Sequence, residues 1–132
     1  MIYPMFALVV LTYLVMFTLA FSRLRSVARN ELPAKYYRLM QGYAAPDYVL
    51  KPTRHFSNLF ETPVLFYVVC ILYLVTGIQP VAAMALAWVY VGLRVVHAAI
   101  HLTYNHPIHR FLVFSVSILC LLALWIMLVV QI

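Results

Sequence analysis

Four long apolar runs separated by polar segments dominate the pattern of hydrophobic and polar positions along the chain. The runs cover residues 2–21, 55–78, 81–104 and 110–130. As a helix, each is about long enough to cross the hydrocarbon of a bilayer, which takes roughly 20 residues. Only helices or closed barrels satisfy the backbone inside lipid. The pattern therefore predicts an all-α integral membrane protein, a four-transmembrane-helix bundle formed by one domain over residues 1–132.

The polar segments add detail to these four helices. Arginines first appear just after the first run, with no small-residue cleavage site before them, so we expect a retained span rather than a signal peptide. The first helix should continue past Arg25, and a short interfacial helix is expected over 34–41. Pro63 lies inside the second run and predicts a kink there. Gly77, Gln79 and Pro80 should end that run.

The composition supports a membrane protein. Hydrophobic residues make up 67% of the 132 residues and charged residues 9%, and the mean hydropathy is +1.00. Soluble domains are usually about half apolar and about a quarter charged. Both cysteines fall in apolar runs, where they resemble small hydrophobic residues rather than a disulfide pair.

The formal net charge of +6 is concentrated in one segment, 22–54, which holds seven of the nine Lys and Arg residues. In a membrane protein such clustering indicates topology and contact with anionic lipid headgroups, and no motif suggests nucleic-acid binding. The positive-inside rule predicts that the basic loop 22–54 is cytoplasmic and that both termini lie outside. A bacterial inner membrane is the location we favour.

Two polar stripes enter the apolar runs at the same membrane level. Arg54, Asn58 and Glu61 share one face of a helix because they are spaced i, i+4 and i+7. The second stripe consists of Arg94, His97 and His101, which share one helix face because they are spaced i, i+3 and i+7. Lipid does not tolerate such groups, so both stripes should face protein, water or a ligand.

A structural ion pair is one explanation, with Glu61 bound to Arg94 or to Arg54. It leaves most of the positive charge unmatched, because Arg23 and Arg110 lie at the same level and Glu61 is the one carboxylate there. Several cations with one carboxylate suit a ligand that bears several carboxylates and one amine.

A metal site is the alternative for His97 and His101, since two histidines one turn apart can bind zinc or iron. The further carboxylate or cysteine that such a site needs is missing nearby. We therefore predict no metal here.

At these motifs the sequence resembles a known family, the membrane-associated proteins in eicosanoid and glutathione metabolism (MAPEG). The resemblance rests on Arg54-x-x-x-Asn58-x-x-Glu61-x-Pro63 joined to Gly92-Leu93-Arg94-Val95-Val96-His97, and it covers nearly the whole chain. It implies a homotrimer of four-helix subunits, with glutathione bound between neighbouring subunits near the cytoplasmic face.

The resemblance also implies roles for individual residues. Arg110 matches the arginine that stabilises the thiolate in catalytic members. The residues that match glutathione-binding positions or lie beside them are Arg23, Arg54, Asn58, Glu61, Arg94, His97 and His101. This sequence departs from the pattern where some members carry hydroxyl groups, at His101, Phe111 and Phe114.

Two hypotheses follow from the resemblance. In the first, the protein is a glutathione transferase or peroxidase that acts on lipophilic electrophiles from the bilayer, with glutathione as cosubstrate. In the second, it is a non-catalytic structural or accessory subunit whose charged stripes hold helices together. A transporter is disfavoured because the sequence shows no inverted repeat.

Overall fold

The computed structural model describes residues 1–78 and 80–132. Gln79, predicted to help end the second run, lies outside the described residues. Regular structure in the described part is helical throughout, as predicted, and four candidate spans are long and apolar enough to cross a membrane. The helices are α1 (Ile2–Ala28), α2 (Asp47–Asn58), α3 (Thr62–Val75), α4 (Val81–Leu102) and α5 (Pro107–Gln131), with a 3₁₀ helix at Ala34–Arg38.

The second candidate span consists of two helices, α2 and α3. A turn over residues 59–61 separates them, and Pro63 occupies the first turn of α3, where its missing N–H costs no helical hydrogen bond. This break agrees with the predicted kink. The helical structure begins at Asp47 rather than near residue 55, where the apolar run starts, because α2 opens with amphipathic turns whose Lys51 and Arg54 hide them from a hydropathy pattern.

The polarity of segment 22–54 suggested that it is mainly loop, but helices occupy both of its ends. Helix α1 continues to Ala28, beyond Arg25 as predicted, and α2 occupies the other end of the segment. Leu32 and Tyr36 from the connection between these helices pack with Val49 of α2 in a small separate core. The helix expected over 34–41 is present as the shorter 3₁₀ helix Ala34–Arg38, and its position at the membrane interface stays a prediction.

The main core is formed by buried side chains of α1, α3, α4 and α5. Ala83 and Ala87 are fully buried, and such small side chains let membrane helices approach closely. Farther along α4, the Tyr90 ring stacks on Phe66 with centroids 4.5 Å apart. On α3, the buried Tyr73 hydroxyl donates a hydrogen bond of 3.0 Å to the Leu124 carbonyl.

Much of the outer surface is apolar. Large side chains such as Phe17, Leu119 and Val130 are exposed in the single chain. In a membrane protein this surface suits contact with lipid tails or with other chains.

Candidate functional site

A cavity of about 260 Å³ opens beside the start of α5, between that helix, α2 and α4. It is lined by Asn58, His97, Pro107, Arg110, Phe111 and Phe114. Three residues singled out from the sequence, Asn58, His97 and Arg110, therefore meet at one cavity although they come from three helices.

Arg94 lies behind this cavity and is fully buried. Its Nη2 donates to the Asn58 side-chain oxygen at 2.5 Å and to the Asn58 backbone carbonyl at 3.4 Å. Its Nε and Nη1 find no hydrogen-bond partner among the described residues. The Phe114 ring lies 5.6 Å from the guanidinium carbon, a cation–π distance. An amide and an aromatic face thus surround the buried cation.

The structural ion pair considered from the sequence does not form within the described chain. The ion pair found there is Arg29–Glu31, at 3.9 Å. Asn58 instead lies between the charges, because its amide nitrogen donates to Glu61 at 3.5 Å while its oxygen accepts from Arg94. A buried cation is thus linked to an exposed carboxylate through a neutral amide.

Arg110 is held at the cavity by the turn that precedes α5. Its Nη1 donates to the Asn105 side-chain oxygen at 2.8 Å. Asn105 has a φ of 53°, a left-handed conformation that asparagine tolerates better than most residues. The Arg110 Nε is buried and has no partner among the described residues. The turn therefore fixes one edge of the guanidinium, and a further donor stays available.

The remaining predicted residues lie elsewhere. Arg23 lines a groove of about 400 Å³ between α1 and α2, together with Met16 and Phe56. Arg54 and Glu61 are exposed on the open face of the second span. The single chain therefore gathers part of the predicted site at the cavity and leaves Arg23 on the other side of α2.

His101 belongs to a buried cluster of three histidines rather than to the cavity lining. Ring centroids in the cluster lie 5.0–5.9 Å apart. The other two members are His97 and His55. His55 is fully buried, and neither of its ring nitrogens has a partner among the described residues. Sequence reasoning missed it, although it shares the buried face of α2 with Pro52.

Within residues 1–78 and 80–132, no group of three or more His, Cys, Asp or Glu side chains is placed to hold a metal ion. The three imidazole rings of the cluster pack against one another.

The sequence model of the MAPEG family matches residues 1–130, nearly the full length of the chain. The chain belongs to the MAPEG family. Members of this family are glutathione-related membrane proteins, and together with the four candidate spans this makes the chain a multi-pass integral membrane protein. Comparisons with curated proteins and with solved structures gave no match.

The cavity beside the start of α5 has a composition suited to binding an anion. Arg110 lines it, Arg94 lies behind it, and both keep unpartnered N–H groups within the described structure. Guanidinium groups bind carboxylates and other anions through paired hydrogen bonds. The lining includes Phe111 and Phe114 and contains no hydroxyl side chain.

Proposed function

We propose that this MAPEG protein binds glutathione and uses it as a transferase or peroxidase on lipophilic electrophiles. The observation that carries the proposal is the shared cavity of Asn58, His97 and Arg110, with the uncompensated Arg94 behind it. A tripeptide with two carboxylates, one ammonium and a thiol supplies the anions that these cations lack. Glu61, hydrogen-bonded to Asn58, is the partner for the ammonium group.

Arg110 has the central chemical role in the proposed mechanism. Only the thiolate of glutathione is a good nucleophile, and a free thiol has a pKa near 8.5. Lowering that pKa by about two units takes ~2.7 kcal/mol of preferential anion stabilisation. One partly desolvated guanidinium can supply this. The thiol proton passes to water, and the sulfur electron pair remains for attack.

Two reactions are open to this thiolate. With a carbon electrophile that carries a leaving group, the sulfur bonds to carbon as that group departs. With an electrophile whose ring opens on attack, the product anion takes a proton from water. With a lipid hydroperoxide, the thiolate sulfur bonds to the terminal oxygen as the O–O bond breaks, which gives glutathione sulfenic acid and an alkoxide that takes a proton from water and leaves as the alcohol. A second glutathione then gives the disulfide and water. Phe111, at the cavity and 68% exposed, provides an apolar contact for such substrates.

A homotrimer with shared sites explains the divided arrangement of the predicted residues. Arg23 and the cavity lie on different sides of α2, so one small ligand does not readily reach both within one chain. A neighbouring copy could bring its Arg23 to this cavity. The same contact would cover Arg54 and Glu61, which are exposed on a membrane span and unfavourable against lipid.

The proposed orientation follows the positive charge. The basic residues 22–54 and the turn before α5 lie on the cytoplasmic side, with both termini outside. A bacterial inner membrane is the proposed location. The glutathione site then opens near the cytoplasmic face.

A non-catalytic accessory subunit is the second candidate function. The observation that favours it is the absence of any Ser, Thr or Tyr side chain from the cavity lining, where Phe111 and Phe114 lie instead. Without a hydroxyl donor, Arg110 would be the main group able to stabilise the thiolate. The same cavity could then hold glutathione without turning it over.

Glutathione titration of the purified protein distinguishes these candidates. Calorimetry measures binding, and ultraviolet absorbance at neutral pH detects the thiolate. Arg110→Ala should abolish the thiolate signal while leaving most of the binding, and Arg38→Ala, which removes an exposed loop charge, should change neither. Binding without a thiolate signal in the unaltered protein would favour the accessory subunit. No binding at millimolar glutathione would reject both forms of the glutathione site.

A further inference from the structure

The end of α1 carries a second group of cations, away from the cavity. Arg25 and Arg29 lie one helical turn apart on the exposed surface, above a shallow groove of about 550 Å³. The groove is lined by Phe21, Leu24 and Ala28 as well. Phe21 is 67% exposed and Leu24 is 71% exposed, so the apolar floor is open in the single chain.

Side chains from other parts of the chain hold these two arginines in place. The Arg25 guanidinium carbon lies 5.4 Å from the centre of the Tyr48 ring on α2. The Tyr48 hydroxyl donates to Glu31 in the connecting segment, and Glu31 also forms the 3.9 Å ion pair with Arg29. The two guanidinium groups are thus positioned by contacts that join α1, the connecting segment and α2.

We propose that this groove binds an anionic phospholipid. The phosphate would lie between Arg25 and Arg29, and an acyl chain would follow Phe21 and Leu24 down α1. Two guanidinium groups and the Glu31 carboxylate leave one positive charge, which matches a phosphodiester. Guanidinium forks also fit phosphate oxygens geometrically.

The surrounding charge favours an anionic lipid over a zwitterionic one. Segment 22–54 contains seven cationic residues and two acidic ones, Glu31 and Asp47. The ammonium group of phosphatidylcholine would face this excess of positive charge, whereas the glycerol of phosphatidylglycerol would not. Basic clusters directly beside a membrane helix commonly attract anionic lipids, at about 1 kcal/mol per residue near the surface.

The test measures lipid selectivity of the full-length protein in phosphatidylcholine vesicles. Spin-labelled phosphatidylglycerol and spin-labelled phosphatidylcholine are compared by electron spin resonance, which separates lipids held at the protein from free ones. Arg25→Gln combined with Arg29→Gln should reduce the relative affinity for phosphatidylglycerol roughly thirtyfold at this site. The matched control is Lys35→Gln combined with Arg38→Gln, which removes the same charge from the same segment and should have a much smaller effect.

Two further variants sharpen the result. Arg25→Lys with Arg29→Lys keeps the charge and removes the planar forks, so selectivity should weaken only partly. Leu24→Cys, in a chain that also carries Cys70→Ala and Cys120→Ala, should react with a lipid-soluble maleimide. If the Arg25/Arg29 and Lys35/Arg38 double variants lose the same amount of selectivity for phosphatidylglycerol, diffuse positive charge accounts for the selectivity. That result would overturn the proposal. Efficient disulfide cross-linking of two copies through position 24 would also overturn it, because another chain would then cover the groove.

Discussion

The contact between Asn58 and Arg94 gives the sharpest test of the site's internal structure. Asn58→Leu keeps a side chain of similar size and removes the oxygen that accepts the 2.5 Å hydrogen bond from Arg94. The guanidinium is fully buried, and its Nε and Nη1 already lack partners in the described structure. After the change, Nη2 would keep only the backbone carbonyl at 3.4 Å.

The expected cost of Asn58→Leu follows from the loss of this bond. Hydrogen bonds to charged groups contribute about 1.5–3 kcal/mol, and a stranded buried donor keeps its full desolvation penalty. We therefore expect the free energy of unfolding to fall by about 2–3 kcal/mol. Unfolding in mixed micelles of rising dodecyl sulfate content, followed by tryptophan fluorescence, measures this difference. Ser57→Ala, at an exposed neighbouring position, should stay within about 0.5 kcal/mol of the unaltered protein.

A double-mutant cycle separates this contact from a general packing effect. In a chain that carries Arg94→Leu, Asn58→Leu should lower the free energy of unfolding only slightly, because the guanidinium that Asn58 contacts is absent. The coupling energy between the two positions should then be about 1.5–3 kcal/mol. Additive losses, with a coupling near zero, would show that the amide does not stabilise the buried guanidinium.

Three other changes test separate contacts. Glu61→Gln should weaken glutathione binding by roughly tenfold or more, as expected for losing a charged hydrogen bond, and unaltered affinity in calorimetry would count against Glu61 as the ammonium partner. Tyr73→Phe should lower the free energy of unfolding by about 1 kcal/mol by removing the hydrogen bond from the Tyr73 hydroxyl to the Leu124 carbonyl, and a neutral result would argue against that bond. Asn105→Gly keeps the left-handed turn but releases Arg110, so we expect the thiolate absorbance to fall while binding persists; an unchanged signal would mean that the turn does not position Arg110.

The apolar pattern predicted the four spans well because lipid imposes a length and a composition on each of them. The same pattern missed the first turns of α2. There Arg54 is exposed and Lys51 donates a hydrogen bond to the Thr103 carbonyl, while Val49 and Pro52 are buried, so average hydropathy is low although the helix has a buried face. Helical periodicity of apolar and polar positions, rather than average hydropathy, is the sequence signal that could have indicated this amphipathic helix.

The site was only partly accessible to sequence reasoning. Helical spacing placed Arg94 beside His97 because both lie on α4, and it placed Asn58 beside Glu61, which the turn after α2 keeps close although the helix ends at Asn58. Spacing could not indicate that Asn58 bridges Arg94 and Glu61, since that contact crosses between helices. Nor could it place Arg23 on the far side of α2.

His55 shows the same limit for buried polar residues. In the sequence it is one residue in a polar stretch next to Arg54. Its full burial results from α2 packing on α4, which brings its ring within 5.4 Å of the His97 ring and 5.0 Å of the His101 ring, between centroids. A single apolar or polar label per residue does not contain that information.

Mixed oligomers test most directly whether the glutathione site is shared between copies. Arg23→Ala and Arg110→Ala chains carrying different affinity tags are co-expressed, mixed oligomers are isolated through both tags, and glutathione thiolate absorbance is measured. If one copy of the proposed trimer supplies Arg23 and its neighbour supplies Arg110, about one of the three sites in each mixed trimer should be intact, although each variant alone gives no signal. If both mixed and single-variant oligomers give no signal while the unaltered protein does, Arg23 and Arg110 act within the same chain, and the shared site is wrong.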